Sequence, residues 1–167
     1  MSADGRISGI ALAVVRERNG KGEVKLEYPW LDQSLRSEWV AVASGMAGGG
    51  RGIFMMPELG DEVVVAFQHG HFEHPVVLGF LWNGVDRPPA EDPRERTICS
   101  KNGHRITFVD STPGSGDAGC LIIEDAHKNR ITLSNGKIAL HAVALLEIVA
   151  PIVTINGRVV QPSPSPI

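Results

Sequence analysis

Apolar residues in this chain come in short runs that alternate with charged positions, and nowhere do they recur at a helical spacing. Residues 7–15 are apolar and partly β-branched, Asn19-Gly20-Lys21-Gly22 is a turn signal, and Val24, Leu26 and Tyr28 then alternate with charged residues. Side chains two apart along a strand share a side, so this pattern predicts a hairpin with one wet face. Pro29-Trp30-Leu31 ends its second strand, because proline cannot donate to a ladder. Residues 39–43 predict a third strand. After the turn cluster at 57–60, the run 63–67 and the run 76–82 flank a polar connection at 68–75 and predict a tight antiparallel pair. Five strands before residue 83, separated by turns, suit a small closed barrel, and the chain as a whole reads as all-β.

The pattern changes at Asn83. Residues 83–93 hold three prolines, several charges and no apolar period, as a semi-rigid linker does. This gives a barrel domain at 1–88, a linker at 89–96, a second β domain at 97–160 and a proline-rich tail at 161–167. Past the linker the sequence repeats itself: Asn102-Gly103-His104-Arg105-Ile106-Thr107-Phe108 returns as Lys128-Asn129-Arg130-Ile131-Thr132-Leu133. Triplets with apolar outer residues then begin at Ile131, Ile138, Leu146 and Val153, at offsets of 7, 8 and 7. Strands this short bury no face alone; stacked as rungs they can, and three chains wound together would supply the missing walls. The core of such a trimer is expected to hold Ile106, Phe108, Ile131, Leu133, Ile138, Leu140, Ile148, Val153 and Ile155.

Composition narrows the function. A net charge of -3, with Lys and Arg evenly spread, leaves no basic face for nucleic acid. Cys99 and Cys120 sit in no metal-binding spacing and read as free thiols made in a reducing compartment. The polar start is no secretory signal, so synthesis in a cytosol is expected. The glycine-rich stretch after Ser44 lacks the Gly-Lys-Ser/Thr ending and the following helix of a phosphate loop. His69, His71 and His74, with Glu73, are the most metal-like group, since His69 and His71 would face one side of an extended strand. Their place at a hairpin tip explains their polarity equally well, and no metal or other cofactor is assigned. Asp110, Glu124 and Asp125 are the carboxylates a hydrolase would need, but no nucleophile or base stands at a matching spacing. A single-strand or sugar binder would want a basic, aromatic-lined groove, against an aromatic content of 5%.

The motifs GEVKLEYPWLD, SEWVAVASGMAGGGRG, PELGDEVVVAFQHG, HPVVLGFLWNG and SKNGHRITFVD, in this order, resemble the central spike proteins of contractile injection systems. These are phage baseplate assembly protein V and the spike part of the VgrG proteins. Trp39, Met46, Ala47, Gly48 and Arg51 fall on family positions without a chemical role attached. The resemblance implies an OB-fold barrel followed by an intertwined, homotrimeric triple-stranded β-helix. It further implies a hub protein above the barrel, baseplate and tube neighbours, a PAAR-type tip protein and transient contact with a target membrane. Few residues precede Ile7, so the expectation is a free-standing spike of a phage tail or phage tail-like particle, made in the bacterial cytoplasm. No enzymatic activity is expected: the linker is too short for a lysozyme insert, and the His-x-His motif of iron-tipped relatives is missing, His141 standing alone. The tip is expected at Ile155, Asn156, Gly157, Arg158, Val159 and Val160, which turn at Asn-Gly and offer a short apolar strand to a cap. An OB-fold ligand-binding module is the runner-up, and a hydrolase comes last.

Overall fold

A computed structural model describes residues 6–7, 9–31 and 36–160. Two compact units divide at Arg87 and Pro88. The first is a closed barrel of β1 (Ile10–Arg18), β2 (Glu23–Glu27), β3 (Val40–Val42), β6 (Glu62–Phe67) and β7 (Pro75–Phe80), in the order β1-β2-β3-β7-β6. All neighbours are antiparallel except β3 and β7, which run parallel with Ala41 opposite Val76. The five strands expected from the alternation are these five.

Alternation explains the core. Val63, Val65 and Phe67 point inward from β6, Ala13 and Val15 from β1, Val24 and Leu26 from β2, Val40 from β3 and Val77 from β7. Tyr28 joins them, with its ring 5.2 Å from Phe72, 5.7 Å from Trp30 and 6.0 Å from Phe67 between centroids. Burial pushes its phenol up to about 12, so it stays neutral. Two one-residue bulges bend the wall: Arg16 is the extra residue between β1 and β2, and Leu78 between β6 and β7. The turn between β1 and β2 is fixed by the Asn19 side chain, whose Oδ1 accepts from the backbone of Lys21 at 2.8 Å and of Glu23 at 3.1 Å.

The glycine-rich stretch forms a two-strand ribbon that the sequence pattern does not announce: β4 (Ala47–Gly48) pairs antiparallel with β5 (Arg51–Gly52). Gly52 has no substitute there, because a Cβ would lie 2.5 Å from the Met46 carbonyl oxygen.

The second unit is a five-stranded antiparallel meander, β8 (Glu95–Cys99), β9 (Arg105–Val109), β10 (Cys120–Glu124), β11 (Arg130–Ser134) and β12 (Lys137–His141), followed by the hairpin β13 (Thr154–Ile155) and β14 (Arg158–Val159). β8 begins at Glu95, within the stretch read as linker. The sequence repeat is a structural one, since Ile106 of β9 and Ile131 of β11 both lie opposite Ile123 of the strand between them.

The stacking of successive triplets is corrected within a single chain. The triplets at Ile131 and Ile138 pair edge to edge, Leu133 opposite Ile138, instead of lying one above the other. The reason is Asn135-Gly136, with φ of 47° and 72°, the left-handed pair that closes a two-residue hairpin turn. The triplet at Leu146 lies in no strand.

Gly119 is held just as closely as Gly52. It has φ +75°, and a Cβ would fall 1.9 Å from the Val109 carbonyl oxygen. Gly119→Ala therefore must open the loop before β10, at a cost well above the ~1 kcal/mol of an average substitution. Faster amide exchange in β9 and β10, with barrel amides unaffected, is the expected reading.

Candidate assembly surface

The register of the meander sorts its side chains into two very different faces. One row runs Ile98, Ile106, Ile123, Ile131 and Leu140 across all five strands, and the next runs Arg96, Phe108, Leu121, Leu133 and Ile138. The opposite face carries Thr97, Thr107, Ile122, Thr132 and Ala139, flanked by Cys99, Arg105, Glu124, Arg130 and His141.

Water meets the wrong face for an isolated sheet. Thr107 and Glu124 are buried, whereas Ile106, Phe108, Ile131, Leu133, Ile138 and Leu140 are between 38% and 71% exposed. Exposed large apolar side chains in one contiguous face mark an interaction surface. Six of the nine residues expected in a shared core thus lie together. Ile155 lies apart in β13, and Ile148 and Val153 stand outside the strands. Sequence reasoning missed Ile98, Leu121 and Ile123. Leu121 and Ile123 were available as an apolar triplet, but Ile122 between them hides the alternation.

Several charged groups of this unit are engaged with one another or with loop backbone. Glu124 accepts from Lys128 Nζ at 3.0 Å and Arg130 Nε at 2.8 Å, which hold its carboxyl below the usual carboxylate range. Asp125 accepts from the Asn129 side chain at 2.8 Å and from the backbone of His127 and Asn129, so it fixes the β10–β11 loop. Asp110 pairs with Arg96. Near the start of β8, Arg94 pulls the Asp92 carboxyl down to about 2. Cys99 and Cys120 are both free of a disulfide.

Acid should loosen this unit, and the sign follows from the depressed Glu124. A carboxylate lowered in the folded state favours folding above its ordinary pKa of about 4.3, and that contribution disappears as pH falls through the lower folded value. Glu124→Gln is therefore expected to lower the thermal midpoint at pH 7, with the gap from the parent narrowing toward pH 3 at a fixed protein concentration. A gap that widens on acidification would contradict the role.

The histidine group does not form a strand site. Gln68–Gly70 is a short 3₁₀ turn with His69 left-handed at φ 52°, which corrects the extended geometry expected of His69 and His71. His71 and His74 rings stand edge to face, 6.3 Å apart. Among the described residues no three His, Cys, Asp or Glu side chains converge as metal ligands.

At the far end, Asn156 and Gly157, with φ of 49° and 76°, close the β13–β14 hairpin, and Val160 N–H donates to the Val153 carbonyl at 2.8 Å. Ile155 and Val159 are exposed. The proline tail at 161–167 lies outside the described residues. Among the described residues no helix is long and apolar enough to cross a membrane.

Comparison with known proteins matches residues 8–82 to the Type VI secretion system/phage-baseplate injector OB domain. Type VI secretion system spike protein VgrG5 of Pseudomonas aeruginosa is 34% identical over 131 residues, 72% of this chain and 16% of that protein. VgrG2a of the same organism is 30% identical over 106 residues, 57% of this chain and 13% of its own length. The actin cross-linking toxin VgrG1 of Vibrio cholerae is 34% identical over 80 residues, 46% of this chain and 7% of that protein. The chain therefore spans no more than 16% of the length of these relatives.

Proposed function

We infer that this chain, a relative of the VgrG-like spike proteins with an injector OB domain at residues 8–82, is the structural central spike of a contractile injection apparatus. The observation that carries this reading is the inverted sheet of the second unit. Its apolar face lies open in one copy, and each such side chain gains roughly 1.5–3 kcal/mol when fully buried. Three copies that bring these faces around a common axis, as an intertwined triple-stranded β-helix, would cover them. A phage tail, a tailocin or an extracellular injection particle would each house such a needle.

The rest of the assembly is what the resemblance to spike proteins implies. The barrels form a collar beneath a hub, baseplate and tube proteins surround it, and the needle transmits the force of contraction to the target envelope. Ile155 to Val160 form the blunt end, on which a PAAR-type cone docks. The work in this reading is mechanical, without an enzymatic step, and the roles of Asp110, Glu124 and Asp125 in ion pairs and loop closure support it. No nucleic acid, metal or cofactor enters this mechanism.

Gel filtration with light scattering tests the reading directly. The expected mass is three times 17.9 kDa. A folded monomer at micromolar concentration would remove its basis.

A further inference from the structure

The glycine-rich ribbon roofs a cleft of about 720 Å³ on the barrel unit, within the size range of pockets that enclose a ligand. Its walls are apolar, with Val42, Met46, Ile53, Phe54, Met56 and Phe80 facing it. Phe54 is 77% exposed, and Met46 and Ile53 are about half exposed, so the cleft has an apolar lip as well as an apolar floor. Methionine is adaptable in shape and suits a surface that receives another side chain.

Two further features specify what fits. Lys21 at the β1–β2 turn and Arg51 on the ribbon stand at the cleft, no acidic residue lines it, and neither cation takes an ion pair among the described residues. In a chain of net charge -3 this is a local excess of positive charge. The ribbon is also a sheet of only two strands. Each of its edges offers unpaired backbone donors and acceptors, the template for adding a strand.

The ribbon is held ready by its base. The Ser44 hydroxyl donates to the Ile53 carbonyl at 2.6 Å, and Ile53 N–H donates to the Met46 carbonyl at 2.9 Å.

We propose that this cleft is a docking site for an extended segment of another protein that lies along the ribbon edge, inserts a large apolar side chain and presents carboxylates to Lys21 and Arg51. An isolated lipid or fatty acid would satisfy the walls and the cations but has no main chain for the ribbon edge. The site belongs to the barrel unit and stands independently of trimer formation by the second unit.

Selection of displayed random twelve-residue peptides on the immobilised full chain tests this. Enriched sequences should place Asp or Glu beside Leu, Ile, Phe or Met. Synthetic copies, followed by fluorescence anisotropy, should bind at least tenfold more weakly to the double variant Lys21→Glu/Arg51→Glu and to Phe54→Ser. Reselection on the double variant should enrich Lys and Arg instead. All three positions are exposed, so circular dichroism should be unchanged, and Met46→Ser replaces Phe54→Ser if that variant unfolds. Three results would overturn the proposal: no enrichment, enrichment without acidic bias, or binding indifferent to both variants. Self-association of the parent chain that Arg51→Glu abolishes would assign the cleft to a second copy, which also overturns it.

Discussion

Ile138→Asp is expected to produce a folded monomer that no longer trimerises. In the single chain Ile138 is 71% exposed, at the edge strand β12, so a carboxylate there meets water and disturbs little. In the proposed trimer the same position would face its counterparts. Three carboxylates would then sit around one axis without partners, and burying an unpaired charge costs several kcal/mol each even after relaxation. Light scattering should therefore fall from three chain masses to one while the barrel's spectroscopic signature stays intact. Ile138→Ala separates charge from lost contact: it forfeits about 1.5–3 kcal/mol per copy and should weaken association without abolishing it. A trimer that survives Ile138→Asp at micromolar concentration would show that the apolar face is covered in some other way.

Leu26→Ala carries the second large effect, and it strikes the other unit. Leu26 is completely buried in β2, opposite Val15 of β1, in a core otherwise built largely from valines. Valine cannot reach far enough to refill the space, so most of the cavity should persist. Large-to-small changes of this kind cost about 2–5 kcal/mol, a large part of a domain stability of about 5–15 kcal/mol. At roughly 4–8 °C per kcal/mol for a domain of this size, the barrel's thermal midpoint should drop by at least about 8 °C. Leu26→Met conserves volume and should restore most of the loss. If Leu26→Ala leaves the barrel midpoint in place, the core has been assigned to the wrong side of β2.

These two predictions rest on parts of the chain that differ in how openly the sequence displayed them. The barrel strands were legible because Val24 and Leu26, or Val63, Val65 and Phe67, alternate with residues that can face outward. Which strands neighbour which was less open to reading. The parallel pairing of β3 with β7 joins residues about thirty-five apart through two short segments, and no local pattern encodes it. The ribbon went unseen because strands of two residues have no period to detect.

In the second unit the apolar triplets were visible but their arrangement was ambiguous. An offset of 7 between Ile131 and Ile138 suits a stacked rung, and it equally suits a five-residue strand plus the two-residue turn Asn135-Gly136. The asparagine-glycine pair was the deciding signal. That Ile131, Leu133, Ile138 and Leu140 share one face follows from alternation alone. Their exposure could not be read, because alternation says which residues share a side and is silent about what covers it.

The closure of the barrel also governs how it is made. β1 pairs with β2 on one edge and with β6 on the other, Ile10 lying opposite Ala66. At a translation rate of about 5–20 residues per second, the second edge of β1 waits roughly 3–10 seconds for its partner to be synthesised. During that interval the first hairpin is a nascent chain with a bare apolar side and an open edge, the most vulnerable moment of biogenesis for this unit. The meander needs no such wait, since each of its strands pairs with the next. Because it is made after the barrel, its apolar face is exposed only once the barrel has had the chance to close.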